Sequence, residues 1–398
     1  MSSTSHRNAP AGRGRRVVFR LIALLIVVMF AALALTVTEL ALRSSRASSL
    51  YQEVRRYPPH PFLQAVPAMA ADHVNRHGFR GDEVELDKGA KTFRIFTIGG
   101  STTLGVGNEY RDTYPYMLQA ALSARYPDMR IEVQNAGCAW YTSAHALVSY
   151  TTAVRRFQPD LVIFFEAMND LVRSFSPPWL ATGPFQPDYS HYLGPYARMA
   201  GPQSRFFDTS GSFLTWQLVR QWWRGDPDPF SHRAPNVQRM RERLVETDRP
   251  SFRSLSSYRW FYESVIHEVE ADRIPILVAS QPSIFRPDLS AEDRQMLWFA
   301  PLLCAENGTC PSLGAMIHGM EIYNAASREI AARRQVPYLE FEAAVPKTRE
   351  FFSDDVHLRG RGNERIAAIA ADAIVRGGWI DRRAGRGSAA GVSRSKVP

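Results

Sequence analysis

Lysine is almost missing from this chain: none occurs between residues 92 and 346. A phosphate loop ending in Gly-Lys-Ser/Thr is therefore excluded from that stretch. Acidic residues are absent from the first 38 positions and from the last 17. Residues 1–46 carry seven Arg against Glu39 alone, a balance of +6. Residues 382–398 carry four Arg and Lys396, a balance of +5. The formal charge of +9 on 398 residues thus leaves 36 bases and 38 acids, or −2, on residues 47–381. The body lacks the clustered positive charge that phosphate tracking needs, so nucleic acid is not expected as a partner. An apolar content of 45% excludes a disordered chain. No internal repeat is apparent, and length alone allows one to three domains.

One long apolar run is present. Leu21–Val37 contains only apolar and small residues apart from one Thr. Extended to Leu42 it would make a helix of roughly 33 Å, enough for a hydrocarbon core of about 30 Å. Five Arg and no acid precede it. The heavier positive side stays in the cytoplasm, which puts residues 47–398 outside. The expectation is an uncleaved transmembrane helix at 21–42, with the remainder extracytoplasmic. A signal peptide would have a shorter apolar core, and the one nearby A-x-A pattern, Ala32–Ala34, lies inside the run. Three cysteines fit an exported chain. Cys304 and Cys310 bracket the loop CAENGTC, which a disulfide would close in an oxidising compartment. Cys138 reads as a buried small residue rather than a nucleophile, having no basic neighbour in sequence.

From Thr92 onward, apolar strand-like runs alternate with helical spacing. Strands are predicted at 93–98, 131–134, 161–165, 274–280 and 337–341. Helices are predicted at 113–126, 143–157, 256–272, 313–334 and 362–376. Leu161–Phe165 (LVIFF) is apolar throughout, as expected when both faces of a sheet are covered. The pattern predicts an α/β fold on a parallel sheet with sites at the carboxyl ends of its strands. The domain reading has a basic cytoplasmic segment at 1–20 and the helix at 21–42. A linker and Pro-rich approach segment follows at 43–91, then one domain at 92–380 and a disordered basic tail at 381–398. An insertion at about 171–250 breaks the alternation. Between 171 and 230 it holds 13 aromatics, about twice the density of the whole chain, so a substrate cover is one reading and a structural subdomain the other.

The strand-end loops carry the chemistry. Gly99-Gly100-Ser101-Thr102 follows the first strand, where a serine hydroxyl at a strand-to-helix turn can be exposed and its N–H can meet an oxyanion. A turn with a Ser helix cap is the bland alternative. Asn135-Ala136-Gly137-Cys138 follows the second strand, and Gly137 can present a backbone N–H without steric cost. Glu166-Ala167-Met168-Asn169-Asp170 follows the third. There Asn169 could donate to the same oxyanion or cap a helix, and Glu166 reads as a structural carboxylate before a general base. Near the end stands Asp354-Asp355-Val356-His357-Leu358. A carboxylate close to a His can fix its tautomer and stabilise the imidazolium. Any one of these pieces is weak. Together they supply a nucleophile, oxyanion donors, and a base with an orienting carboxylate on one rim.

In that order the four blocks resemble the SGNH (GDSL-type) esterase and lipase superfamily. The turn His77-Gly78-Phe79-Arg80-Gly81 after a membrane helix looks like the membrane-anchored bacterial members, which implies the bacterial inner membrane for residues 21–42 and a periplasmic body. The resemblance covers roughly residues 58–378. It implies a flavodoxin-like three-layer α/β/α sheet. It also implies Ser101 as nucleophile, His357 as general base and Asp354 as its partner. The oxyanion hole would consist of the Ser101 and Gly137 N–H groups and the Asn169 side chain. Two positions depart from the pattern. Gly100 stands where the family name implies Asp, and Ala167, where Gly is usual, is expected to narrow the approach to Asn169. Asp355 is a rival to Asp354, since Asp-x-His spacing occurs in related acetyl-transfer enzymes. No metal or other cofactor is expected. The expected substrate is an acyl ester of a glycan or lipid. An O-acyltransferase acting on an envelope polysaccharide, and an inactive glycan-binding module, are the alternatives.

Overall fold

The computed structural model describes residues 12–44, 56–60, 63–69, 71–175, 244–299, 301 and 309–385. Most of the aromatic insertion, including Trp179, Tyr189, Tyr192, Tyr196, Phe206, Trp216, Trp222 and Trp223, lies outside these residues. So do Cys304, and with it the expected disulfide, and the tail from 386.

Helix α1 (Gly12–Ser44) belongs to the first of the chain's two compact units. Its side chains from Gly14 to Val37 are all exposed. It is the one described helix long and apolar enough to cross a membrane.

The second unit is built on five parallel strands: β1 (Thr92–Gly99), β2 (Arg130–Asn135), β3 (Leu161–Phe165), β4 (Ile276–Ala279) and β5 (Tyr338–Leu339). Their order is β2-β1-β3-β4-β5, all parallel. The chain therefore starts in the middle, steps to one edge, then crosses back past β1. The switch point lies between β1 and its neighbours, where an open α/β sheet leaves a crevice at the strand ends. Every residue of β1 and β3 is buried, consistent with helices on both faces. On one face α2 (Tyr114–Arg125) packs with the closing helix α7 (Gly360–Gly377). On the other, α3 (Ser143–Thr152), α5 (Leu255–Ala271) and α6 (Leu313–Arg334) pack together. Between them in sequence lies the short helix α4 (Met168–Arg173). The result is the expected three-layer α/β/α fold.

Two predicted elements end differently. The helix predicted through Phe157 stops at Thr152, and Val154–Phe157 continue as a tighter 3-10 turn. The hydroxyls of Thr151 and Thr152 donate back to the carbonyls of Leu147 and Val148, at 2.9 and 2.6 Å, which loosens the last helical turn. The strand predicted through Phe341 stops at Leu339, and Phe341–Ala344 form a helical turn. There the Glu342 N–H donates to Ser280 Oγ at 3.0 Å, which draws the chain off the sheet edge. The described end of the insertion is also paired: Val245–Thr247 run parallel to Thr309–Pro311.

Candidate active site

Gly99 and Gly100 turn the chain sharply from β1 into a single helical turn, Ser101–Leu104. The glycine at 100 is dictated by crowding. A Cβ there would stand 2.2 Å from Glu166 Oε2 and 2.6 Å from Asn169 Nδ2. The position that departs from the family's Asp is thus filled by a carboxylate from the third block. Being first in its helical turn, Ser101 has a backbone N–H without an intrahelical acceptor.

His357 reaches this turn from the loop before α7. Its Nε2 lies 2.7 Å from Ser101 Oγ, and its Nδ1 lies 2.6 Å from Asp354 Oδ2. Asp354 Oδ1 accepts the N–H groups of Val356 (3.1 Å) and His357 (2.9 Å). Asp355 faces elsewhere: its Oδ2 accepts the backbone N–H of Trp298 at 2.8 Å. Burial acts against ionisation of Asp354, but the His357 charge and its hydrogen bonds outweigh it and bring Asp354 down to about 2. Burial, reinforced by the Asp354 charge, pushes Asp355 up to about 7. Burial would lower His357, yet Asp354 raises it above its ordinary value.

The expected oxyanion donors pack against the turn that carries Ser101, Asn169 at Gly100 and Gly137 at Thr103 and Leu104, and have partners of their own. Asn169 Nδ2 donates to Tyr141 O at 2.8 Å, which leaves the second hydrogen of its amide. The Gly137 N–H donates to Asn135 Oδ1 at 2.9 Å. Asn135 Nδ2 in turn donates to Thr103 O at 2.7 Å, so the second block is tied to the turn that carries Ser101. Glu166 Oε1 accepts the N–H groups of Ala167 and Asn169, at 3.1 and 3.0 Å. It is completely buried, and burial, then the Asp170 charge, pushes it up to about 8. That fits a structural carboxylate. Ala167 is fully buried, with its N–H on Gln281 Oε1 at 2.6 Å, and does not line the pocket in front of Ser101. Cys138 is buried at 0% exposure, where it shares the Ala65 carbonyl with the Tyr141 hydroxyl, as expected of a small buried residue.

Ser101 and His357 open into a cavity of about 410 Å³, a size suited to a small organic substrate. Trp140, Trp298 and Phe299 wall it, and Arg80 and Asp72 line it from the approach segment. None of the wall aromatics was singled out from sequence. Trp298 and Phe299 come from the loop after β4, the strand-end loop in which sequence reading named no residue. Arg80 is buried and braces the turn after Ser101, donating to Leu104 O (2.8 Å), Gly105 O (3.1 Å) and Asn108 O (2.8 Å). Its ion pair with Asp72, at 2.5 Å, holds that brace in place. No group of His, Cys, Asp and Glu among the described residues has the arrangement of a metal site.

A parallel α/β sheet with Ser, His and Asp in one hydrogen-bonded chain at its carboxyl rim defines a hydrolase architecture. The chain belongs to the GDSL-like Lipase/Acylhydrolase family, whose model matches residues 97–365, and it is an ester-hydrolysing enzyme. Solved structures similar to it include a GDSL-like lipase from Bacteroides thetaiotaomicron, 14% identical (72% of this chain, 89% of that one, TM-score 0.39). Another is a lipase/acylhydrolase from Enterococcus faecalis, 15% identical (71% and 95%, TM-score 0.39). A third is an acetylxylan esterase from Geobacillus stearothermophilus, 14% identical (72% and 94%, TM-score 0.40). No curated protein sequence matches the chain.

Proposed function

We propose that the protein is a membrane-tethered, extracytoplasmic serine ester hydrolase working through Ser101, His357 and Asp354. The observation that carries this reading is the hydrogen-bonded chain from Ser101 Oγ through the imidazole to Asp354. His357 Nε2 takes the hydroxyl proton as Ser101 Oγ attacks the acyl carbonyl. Asp354, held ionised, stabilises the imidazolium that forms. The oxyanion is met by the Ser101 N–H and the second Asn169 amide hydrogen. Gly137 contributes by sharing an N–H that already rests on Asn135, so its part is the smallest of the three. His357 then returns its proton to the leaving alcohol. A water, activated by the same imidazole, releases the acid and restores Ser101.

The substrate is an acyl ester of a glycan or lipid, and the aromatic walls of the cavity suit the flat faces of a sugar ring or an acyl chain. Helix α1, with its apolar run from Leu21 and its exposed side chains up to Val37, is the tether to the inner membrane, with the enzyme domain on the periplasmic side. A fluorophosphonate probe tests the reading directly. It should label the wild-type protein on Ser101 and leave Ser101→Ala unlabelled. Ester turnover in Ser101→Ala should fall by at least ~10³-fold, and a folded variant with near-wild-type turnover defeats the assignment. Membrane fractionation with external protease tests the tether. The body should sediment with membranes and be cleaved from the periplasmic face.

A further inference from the structure

Trp298 touches the site twice, and neither contact belongs to the proposed reaction as written. Its indole Nε1–H donates to Asp354 Oδ2 at 3.0 Å, the same oxygen that His357 Nδ1 meets at 2.6 Å. Its ring forms part of the cavity wall in front of Ser101 and lies nearly parallel to the imidazole, at 20° with centroids 6.4 Å apart.

We propose that Trp298 is a positioning residue: its indole N–H shares the Asp354 oxygen with His357 and so limits how strongly that carboxylate holds the imidazole proton. This rests on the triad reading above. With the indole bond in place, Asp354 has four donors, two on each oxygen, which fills its acceptor capacity. Three of those donors come from residues within three positions of Asp354. Among the described residues Trp298, 56 positions away in sequence, is the one distant donor.

The tryptophan is itself fixed in place. Asp355 Oδ2 holds its backbone N–H at 2.8 Å. Phe299 packs against its ring with centroids 4.1 Å apart, and Trp140 meets it edge-on at 5.9 Å. The two consecutive aspartates are thus joined through one residue: Asp355 places the tryptophan, and the tryptophan tempers Asp354. Wall packing alone would be met by a phenylalanine. The N–H is the part that packing does not require.

The other charged groups facing the imidazole can be named. Asp354 and Asp355 share its loop. Across the cavity stand the Asp72–Arg80 ion pair and Arg56. Behind Asp355 a smaller cavity of about 130 Å³ is lined by Glu246 and Arg294. A change at Trp298 alters none of these charges, so a shift in His357 titration would report the lost N–H.

Removing the donor leaves more negative charge on Asp354 for the imidazolium, so His357 binds its proton more tightly. In Trp298→Phe the acid limb of the kcat/KM profile should move to higher pH by about 0.5–1 unit, a part of the ~1–2 units that a whole hydrogen bond to a charged group represents, because the indole acts on His357 through Asp354. A simple packing defect would lower turnover at every pH and leave the limb in place. An unmoved limb, or one displaced to lower pH, overturns the proposal. If Trp298→Phe does not fold, benzothienylalanine at 298 carries the same test, since sulfur replaces the N–H at nearly constant ring volume. Ser101→Ala is run beside it. Activity in that protein brings down the triad reading, whereas an inactive Ser101→Ala with an unmoved limb brings down only the role of Trp298.

Discussion

Two pairs of carboxylates lie on the same rim of the sheet, and one acid of the four behaves unlike the other three. Glu166 and Asp170 follow β3, and Asp354 and Asp355 precede α7. In each pair burial pushes against the charged form. Glu166 rises to about 8 and Asp170 to about 6, although two Ser143 hydrogen bonds, at 2.6 and 2.8 Å, favour the ion at Asp170. Asp355 rises to about 7. Only Asp354, in contact with an imidazole that can carry positive charge, is brought down. Burial at this rim therefore does not by itself mark a reacting carboxylate. A buried carboxylate is kept ionised where a cationic partner is within hydrogen-bond reach. The other three acids serve as acceptors for backbone and hydroxyl groups that set the loops.

The sharpest way to break this comparison is to neutralise the two aspartates in turn. Asp354→Asn should cost about 10³–10⁴-fold in kcat/KM, because the amide no longer stabilises the imidazolium. Asp355→Asn should cost far less, since an amide oxygen can still accept the Trp298 N–H. Equal losses would remove the distinction between the two. A smaller effect is expected from the other pair's side of the rim. Asn169→Ala removes an oxyanion donor and should lower kcat by ~10²–10³-fold with little change in KM. A rise in KM at constant kcat would mean that Asn169 binds the ground state instead. The pH profile sharpens the same point. His357 must be neutral to act as base, and Asp354 raises its proton affinity. Activity should therefore be present at alkaline pH and be lost as pH falls through a midpoint above 6.5, the ordinary imidazole value.

Much of this rim was legible in the sequence because its parts are local. Asp354 and His357 are three residues apart, and Gly99-Gly100-Ser101 directly follows a strand marked by its apolar run. The parallel sheet then brings separate strand ends together without any further sequence signal. What could not be read depends on contacts between distant segments. Trp298 reaches Asp354 across 56 positions, and a Trp-Phe pair inside a long connection looks like any buried aromatic cluster. Arg80 sits in a turn whose spacing was visible, but three of its four carbonyl acceptors lie 24 to 28 residues away. The Gly100 departure gained its explanation only from the carboxylate of Glu166, which fills the space from another strand end.

The mildest prediction tests that filling carboxylate. Glu166 is completely buried with its folded-state pKa raised to about 8, against an ordinary value of 4.5. Between those two values the folded protein holds a proton that the unfolded chain has released. Stability contributed by this group is then fully present below pH 4.5 and is lost as pH rises through 8. Asp170 and Asp355 act with the same sign over lower windows. Glu166→Gln keeps an acceptor oxygen for the Ala167 and Asn169 N–H groups but cannot ionise. Its melting temperature should therefore fall less between pH 5 and pH 8 than that of the wild type. Thermal unfolding at several pH values in that window measures this, with the Glu166→Gln curve as the flatter of the two. Parallel curves would mean that Glu166 is ionised in the folded protein, and the contrast with Asp354 would then rest on Asp355 and Asp170 alone.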